Sequence, residues 1–293
     1  MLSKDLSISL TADRFPLVRD IGKNQTDGTY THHDRILDFD VFLFVTKGKM
    51  QVIEEGTEYF VGEMEYLFLK KGCHHWGRPL TLPGTTWYWI HFNSVVDEHV
   101  SYSDHSPMPE LDYYFPDQYQ YRFVMPKHGT PAFHQTLANR LQRLLEDYGK
   151  PRENGMTLIS VQVYQLFLEL RQAELSRIAK KTAGKPDTVA GRVMEYLTQR
   201  TEEDFDSKRL SDYVNLNYSY LSATFKKITG QSIIEAHTKL RMNKAIHLMR
   251  STPLNVSEIS ERLGYRNPYY FSRVFKKVFG EPPSTYMSHF YKT

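Results

Sequence analysis

Residues 220–230 read YLSATFKKITG, and residues 270–280 read YFSRVFKKVFG. Six of the eleven positions are identical, so the second stretch repeats the first after an interval of 50 residues. In each copy two apolar residues four apart, Leu221 with Phe225 and Phe271 with Phe275, form a stripe, and the copy ends in glycine, which suits a helix C-cap. The repeat therefore predicts two helices of the same kind.

A shorter helical pattern precedes each copy. Residues 210–213 read LSDY and residues 259–262 read ISER, and these two stretches are 49 residues apart instead of 50. The second turn therefore contains one extra residue. Asn217 and Asn267 suit the N-caps of the repeated helices. The sequence thus predicts helix, short turn and helix twice over.

The face of each repeated helix that does not carry the apolar stripe is available to touch base edges, because the major groove of DNA accepts one such helix. The candidate base-contacting residues are Asn217, Tyr218, Ser219, Ser222, Ala223, Asn267, Tyr269, Ser272 and Arg273. Ser232 to Met249 reads as one long helix between the two motifs. Its length is expected to place the repeated helices in successive major grooves, ~34 Å apart.

Basic residues are concentrated in the same region. From Lys208 to the end there are 14 Lys or Arg and 5 Asp or Glu, a net charge of +9, whereas the residues before Lys208 carry a net charge of −6. A basic half fused to an acidic half suggests a sensor or scaffold joined to a part that meets a polyanion. The residues expected to contact DNA phosphates are Lys226, Lys227, Arg241, Lys244, Lys276 and Lys277.

The composition is that of a folded globular protein with two domains. The chain has 293 residues, of which 40% are hydrophobic and 24% charged. A single cysteine, Cys73, excludes an internal disulfide and a cysteine-rich zinc module. No apolar run approaches the ~18 residues that span a bilayer. We expect a cytoplasmic protein with no membrane partner.

The N-terminal half predicts a small antiparallel β-barrel. Its short apolar and aromatic runs are separated by turns that contain glycine, which is typical of a sandwich or barrel. These runs lie at residues 41–45, 50–53, 59–61, 66–69 and 87–92.

Aromatic and histidine residues in this half predict a pocket for a small polar ligand, and a carbohydrate is the first candidate. The candidate ligand-binding residues are Tyr30, His32, His33, His74, His75, Trp76, Arg78, Trp87 and Trp89. Any one aromatic ring could equally be an ordinary core residue. Adjacent histidines on a strand point to opposite faces, so each pair offers one inward ring. Two converging imidazoles without a well-spaced carboxylate are a weak metal signal, and we predict no metal.

The middle of the chain predicts a long connection and two helices. Residues 95–130 show no sustained period, and we expect them to wrap the barrel. Apolar stripes predict helices from Phe133 to Tyr148 and from Thr157 to Lys181. These stripes fit a second chain or an internal interface equally well. Residues 182–187 contain Gly and Pro and read as a linker.

The tract from about Val189 to His289 resembles the DNA-binding domain of the AraC/XylS family of bacterial transcription regulators. The resemblance rests on the two repeats and on residues 241–249 (RMNKAIHLM), 259–265 (ISERLGY) and 280–286 (GEPPSTY). The N-terminal half is similar, less specifically, to the cupin-like effector domain of many members, through Gly48, Gly62 and residues 72–74 and 89–92.

The resemblance implies an α+β multidomain protein. Its expected parts are a cupin-like effector-binding β-barrel with an extended connection (1–130), a helical dimerisation or connecting segment (131–181), a linker (182–187) and a double helix-turn-helix domain (188–293). The implied function is a sequence-specific transcription regulator, an activator, that is controlled by a small-molecule effector. The implied partners are double-stranded promoter DNA, a second copy of the chain and RNA polymerase, with no cofactor and no enzymatic activity.

Two alternatives stay open. One is a ligand-independent regulator whose barrel serves only dimerisation, and the other is a metal-dependent cupin enzyme. The chain also departs from the family pattern, since Ser211 and Ser260 stand where alanine is usual. The first repeated helix offers Ser219, Ser222 and Ala223 where relatives often carry larger polar groups. We therefore expect the second motif, with Arg273 and Asn267, to read bases more strongly.

Overall fold

The computed structural model describes residues 7–108, 110–111, 115–182 and 189–291, which form two compact units. The first unit contains the described residues up to Ser103 together with Gln120–Thr182. The second contains the described part of Asp104–Tyr119 together with the described residues from Val189 onward. The predicted linker 182–187 lies outside the described residues, apart from Thr182. None of the described helices is both long and apolar enough to cross a membrane.

The first unit combines strands with two helices. Its described strands are β1 (Ser7–Thr11), β2 (Leu17–Gln25), β3 (Arg35–Ile36), β4 (Asp40–Lys47), β5 (Met50–Glu54), β6 (Thr57–Val61), β7 (Glu65–Leu69), β8 (His74–Trp76), β9 (Thr86–Asn93), β10 (Arg122–Pro126) and β11 (His128–Gly129). Its helices are α1 (His134–Tyr148) and α2 (Gly155–Thr182). The predicted strands between residues 41 and 92 and the two predicted helices are confirmed. The apolar runs did not mark β1, β2, β3, β8, β10 and β11.

The strands pair antiparallel in three sheets instead of one closed barrel. A five-stranded sheet has the order β11-β7-β4-β9-β2, a four-stranded sheet has the order β3-β8-β5-β6, and β1 pairs with β10. Among the described residues no ladder of hydrogen bonds joins the two larger sheets, so the predicted closed barrel is not confirmed. Short strands with alternating apolar residues fit a sandwich and a barrel equally, and closure depends on long-range pairing that this alternation does not encode.

Alternation along β4 gives the first unit two cores. Val41, Leu43 and Val45 point inward and pack with apolar residues of the four-stranded sheet, such as Val52. The intervening Phe42 and Phe44 point to the other face and pack against α1 and α2, through residues such as Phe167. Successive side chains of a strand point to opposite faces, so the valine and leucine side chains lie on one face of β4 and the two phenylalanines on the other. The space between the two sheets is therefore distinct from the layer under the helices.

The described residues of the second unit are helical. They contain a short 3-10 helix (Pro116–Tyr119), followed by α3 (Val189–Gln199), α4 (Ser207–Val214), α5 (Tyr218–Thr229), α6 (Ile233–Ser251), α7 (Val256–Arg262), α8 (Pro268–Phe279) and α9 (Pro283–Tyr291). One apolar cluster joins α3, α4, α5 and the first part of α6, and another joins the rest of α6 to α7, α8 and α9. The long central helix α6 therefore packs in both cores. Its span agrees with the predicted helix 232–249.

The connection between β9 and β10 does not stay with the sheets. We expected residues 95–130 to wrap the barrel, but Met108 and Leu111 are buried with α3–α6. Phe115 packs on Phe279 of α8, with ring centroids 4.9 Å apart. Because these few apolar side chains find their partners more than 70 residues away, no local period marks them. This part of the connection belongs to the helical unit.

Candidate DNA interface and effector site

The helices α5 and α8 have the same local construction. Asn217 caps α5 by accepting a hydrogen bond from the backbone N–H of Ser219, at 2.8 Å, and Asn267 caps α8 through the N–H groups of Tyr269 and Tyr270. Gly230 and Gly280 end the two helices in the left-handed conformation, with φ of 76° and 83°. Both caps satisfy backbone groups that the helix ends leave unpaired. The helix boundaries expected from the repeat are confirmed.

The two turns differ by one residue, as the 49- and 50-residue offsets predict. The first turn has Asn215 in the left-handed region, with φ of 56°, two residues before the cap Asn217. The second has Gly264 in that region, with φ of 73°, three residues before the cap Asn267. A Cβ on Gly264 would also lie 2.7 Å from the carbonyl oxygen of Glu202, so only glycine fits there. The structure therefore contains two helix-turn-helix motifs, with turns of unequal length.

Exposure along α5 and α8 follows one pattern. In both helices the residues equivalent to Leu221 and Phe225 are buried, and the residues equivalent to Ala223, Lys226 and Lys227 are exposed. Tyr269 is 83% exposed, which is unusual for a tyrosine and leaves its whole ring available to a partner. Arg273 is also exposed. Most of the predicted contact face is therefore free of packing against the rest of the unit. Tyr218 is the exception, because its ring packs against Phe205 with centroids 6.0 Å apart.

Three of the predicted base-contacting side chains already have a structural hydrogen bond. The Oδ1 atoms of Asn217 and Asn267 accept the capping hydrogen bonds. The hydroxyl of Ser272 donates to the carbonyl oxygen of Pro268, at 2.9 Å. Tyr218, Ser219, Ser222, Ala223, Tyr269 and Arg273 remain the better placed candidates. Among them, Arg273 has the strongest capacity to hydrogen-bond a base.

The predicted phosphate contacts divide into two groups. Lys226, Lys227, Lys276 and Lys277 are exposed in the last turns of α5 and α8, and Lys244 is partly exposed on α6. Arg241 is different, because only 7% of its side chain is exposed.

Arg241 holds parts of the helical unit together. Its guanidinium lies 3.9 Å from the ring centre of Tyr265, 3.2 Å from a carboxylate oxygen of Asp204, and within hydrogen-bonding distance of the Leu263 carbonyl oxygen. All three partners are groups of the protein itself, so the guanidinium is already engaged. The position does not fit the phosphate contact expected from the sequence, and we assign Arg241 a structural role.

The space between the sheets of the first unit contains part of the predicted ligand site. Tyr30, Trp87 and Trp89 pack on the inner apolar cluster, and His32 and His75 are buried beside it. The hydrogen-bonding register explains this, because Trp87 and Trp89 lie opposite Val45 and Leu43, whose side chains point inward.

The other predicted ligand residues lie outside that space. His74 and Trp76 occupy the face of β8 opposite to His75, where their rings stack at 4.6 Å and His74 bonds Asp34 at 2.7 Å. His33 is exposed, and 64% of the Arg78 side chain is exposed. One histidine of each pair is more buried than the other, as expected, although only His74 and His75 lie on a strand. His33, His74, Trp76 and Arg78 do not line the inner space.

His32 and His75 form a buried hydrogen-bonded pair. The Nε2 atom of His32 lies 2.9 Å from the Nδ1 atom of His75, while His32 Nδ1 and His75 Nε2 are buried and have no hydrogen-bond partner. Burial, followed by the charge of His75, lowers the pKa of His32 to about 3. Burial, followed by the charge of Arg35, lowers the pKa of His75 to about 4. Both rings are therefore neutral at pH 7, and each carries one N–H.

Because both rings are neutral, each has one donor nitrogen and one acceptor nitrogen. One ring donates to the other, so the two outer nitrogens always have opposite roles, one a donor and one an acceptor. A hydroxyl group, which both donates and accepts, can satisfy either outer nitrogen. Among the described residues no three His, Cys, Asp or Glu side chains are grouped so that they could hold a metal ion.

Comparisons with known proteins agree with this architecture. A family model described as a helix-turn-helix domain matches residues 210–289. The chain is 26% identical to the uncharacterised HTH-type transcriptional regulator YisR of Bacillus subtilis, over 95% of this chain and 96% of that protein. It is 34% identical to the C-terminal domain of AraT, a response regulator from Geobacillus stearothermophilus, over 36% of this chain and 88% of that one, with a TM-score of 0.34. The chain belongs to the AraC/XylS family of transcription regulators.

A third relative covers both units of this AraC/XylS regulator. The lactose operon transcription activator of Staphylococcus xylosus is 23% identical over 85% of this chain and 84% of that protein. YisR and the lactose operon activator are named as transcription regulators, and this chain is a DNA-binding transcription regulator of the same family.

Sequence reasoning missed four residues of the inner space in this AraC/XylS regulator. These residues are Asp20, Gly22, Arg35 and His91. His91 lies two positions after Trp89 on β9, so strict alternation would have placed it on the same face. No such signal exists for Arg35, because β3 has only two residues.

Proposed function

We propose that this regulator inserts α5 and α8 into successive major grooves of promoter DNA and that a small ligand bound in the first unit controls this engagement. The observation that carries the proposal is the matched exposure of the two helices, each with a free contact face and an exposed lysine pair. An activator of this kind is also expected to meet RNA polymerase, as the family resemblance implies.

Replacement of Lys276 and Lys277 by alanine is expected to reduce the salt dependence of DNA binding. Each lysine that neutralises a phosphate contributes about 0.9 to the slope of log K against log salt, so the double variant should lose a slope of about 2. The measurement is fluorescence anisotropy at several salt concentrations, on a duplex that the wild-type protein selects from a random library. An unchanged slope would show that neither lysine touches phosphate.

Arg273→Ala is the matched control, because it removes one exposed cation from the same helix. We expect it to weaken binding to the selected duplex by about 1–3 kcal/mol and to relax the preference at one base pair. A uniform loss on all duplexes would contradict base reading by Arg273.

We propose a sugar as the effector, bound between the sheets of the first unit. In support, Trp89 and Tyr30 are partly exposed and provide ring faces there, Trp87 packs in the core behind them, and the His32–His75 pair suits hydroxyl groups. Sugars are recognised by this combination of aromatic faces and directed hydrogen bonds. The relative named as a lactose operon activator is consistent with a sugar-responsive regulator.

We propose that the chain dimerises through α2. This helix buries Ile159, Val163, Leu166, Phe167 and Leu170 inside its own unit. A second stripe, at alternating spacings of three and four, is exposed and consists of Leu158, Val161, Gln165, Leu168, Gln172 and Leu175. This heptad-like spacing is typical of a helix that packs along a second helix. The internal interface of α2 and its proposed dimer interface therefore use two different faces of the helix.

Leu168→Glu is expected to convert a dimer into a monomer. Leu168 lies near the middle of the exposed stripe and is 39% exposed, so a carboxylate there would be buried without a partner in a dimer. Sedimentation velocity over a range of concentrations measures the change. Leu82→Glu is the control, because Leu82 is 56% exposed and lies outside the stripe. A wild-type chain that stays monomeric, or a dimeric Leu168→Glu variant, would contradict the proposal.

A further inference from the structure

Arg35 has no counter-ion among the described residues around the inner space of the first unit. It lies opposite His75 on β8, and His75 lies opposite the inward-pointing Glu54 on β5, so Arg35 points to the inner face. It forms no hydrogen bond or ion pair with any of the described residues. Its Nε atom is buried and unpartnered. The two terminal nitrogens are not among the buried unpartnered atoms, so a ligand can reach them.

The acidic groups around Arg35 are all engaged elsewhere. Asp20 bonds His91 at 2.7 Å, and Asp34 bonds His74 at 2.7 Å. Glu54 forms a buried ion pair with Lys127. The histidines near Arg35 cannot neutralise its charge, because an imidazole ring is either neutral or positively charged. A half-buried guanidinium in these surroundings has lost part of its hydration without gaining a partner, and an anion would supply one.

Trp89 provides a positioned aromatic surface in the same space. Its ring stacks on His91 with centroids 4.4 Å apart, and its Nε1–H donates to Asn24 Oδ1 at 3.3 Å. A Cβ on Gly22 would lie 2.1 Å from the indole, so the glycine lets the ring lie flat over β2. The indole is held on three sides and remains partly exposed.

These groups define three requirements for a ligand. Arg35 requires a carboxylate, which matches the planar fork of a guanidinium. The outer nitrogens of the His32–His75 pair are unpartnered but buried, so they require hydroxyl groups from a ligand that opens this part of the inner space. Trp89 requires a ligand with an apolar ring face that can lie against the indole. A neutral sugar meets the second and third requirements but leaves Arg35 without a charge partner.

We propose that the effector is an acidic sugar, whose carboxylate pairs with Arg35 while its ring lies against Trp89. This inference rests on the proposed control by a sugar bound in the first unit and specifies the class of that sugar. A uronate has the three required groups on one small ring. The carboxylate fixes the orientation of the ligand, and the hydroxyl groups face the histidine pair.

The test compares sugars that differ only at one carbon. Glucose is compared with glucuronate, and galactose with galacturonate, by titration of the full-length protein followed by intrinsic tryptophan fluorescence. All three tryptophans of the chain, Trp76, Trp87 and Trp89, lie in the first unit, and Trp89 contacts the site. We expect a uronate to bind about 10- to 100-fold more tightly than its neutral counterpart, as for a charge-assisted pair.

Two variants separate the charge of Arg35 from the planar shape of its guanidinium. Arg35→Met removes the charge, and Arg35→Lys keeps the charge but not the shape. Arg35→Met should abolish the preference for the uronate and leave binding of the neutral sugar unchanged, and Arg35→Lys should retain part of the preference. Because Arg35 has no partner in the described protein, neither variant should lower the unfolding temperature. Phe39→Ala is not a suitable control, since Phe39 contacts His91 with ring centroids 4.6 Å apart. Leu82→Met, at an exposed position outside the strands, serves instead.

Each outcome has a distinct meaning. If a neutral sugar binds as tightly as its uronate, the acidic class is wrong and control by a sugar survives. If benzoate binds as tightly as the uronate, the carbohydrate part is wrong. If no sugar of either kind binds, the proposed sugar effector and this inference both fail.

Discussion

Arg241→Ala is expected to lower the free energy of unfolding of the helical unit by about 3 kcal/mol, a large effect for one residue of a linker helix. The side chain is almost fully buried and bonds both Asp204 and the Leu263 carbonyl oxygen. It also covers the ring of Tyr265. The substitution removes these contacts together and leaves a cavity beside the second turn.

The measurement is urea unfolding followed by far-UV circular dichroism. Tryptophan fluorescence in the same titration is an internal control, because the tryptophans all lie in the first unit and should keep the wild-type transition. Lys244→Ala is the matched variant on α6, since Lys244 is only partly buried and has no such set of bonds. We expect Lys244→Ala to change the stability by less than about 0.5 kcal/mol.

The two roles considered for Arg241 predict opposite results. A phosphate contact predicts wild-type stability with the salt slope of DNA binding reduced by about 0.9. The buried role predicts a large loss of stability with an unchanged slope, measured at a temperature where the variant is still folded. A stable Arg241→Ala protein with a reduced slope would contradict our structural assignment.

Arg241 also illustrates which features a sequence can predict. The helices α5 and α8 were predictable because their signals are local: a cap asparagine, two apolar residues four apart and a terminal glycine lie within 14 residues of one another. The partners of Arg241 lie 37 residues before it and 22 residues after it. A basic residue on a helix between two DNA-binding motifs was therefore assigned to phosphate, although the fold buries it.

The ligand site was predictable only in part, for a similar reason. Aromatic and histidine residues near the strands were recognised, and alternation placed one histidine of each pair inward. The faces of Trp76 and Arg78 could not be assigned without the register between β5 and β8, which sequence does not give. Arg35 lies on a two-residue strand and became visible only through the pairing with β8.

The stability of the first unit is expected to fall steeply as the pH is lowered from 7 to 5. The His32 and His75 rings have pKa values near 6.5 in the unfolded chain and lowered to about 3 and about 4 in the folded one. Below pH 6.5 the unfolded state therefore binds more protons than the folded state, and each histidine costs up to about 1.4 kcal/mol per pH unit. For the pair, the expected loss between pH 7 and pH 5 is about 3–4 kcal/mol.

Urea unfolding at pH 5, 6, 7 and 8, followed by tryptophan fluorescence, measures this dependence for the first unit. The comparison is with His32→Gln together with His75→Gln, which removes both titrating rings. His91, whose pKa burial also lowers, is present in both proteins, so its contribution cancels in the difference. The groups around the pair, Arg35, His33, His74 and Asp34, are likewise unchanged.

The readout is the difference in pH dependence and not the stability at one pH, since replacing buried rings carries a cost of its own. A shallower curve for the double variant, with His32→Gln alone in between, is the result that a neutral buried pair requires. Curves of equal steepness would mean that the two rings are hydrated or already protonated in the folded protein. The rings would then not be the neutral, desolvated pair from which the ligand site is argued, so this experiment also tests the physical basis of the ligand site.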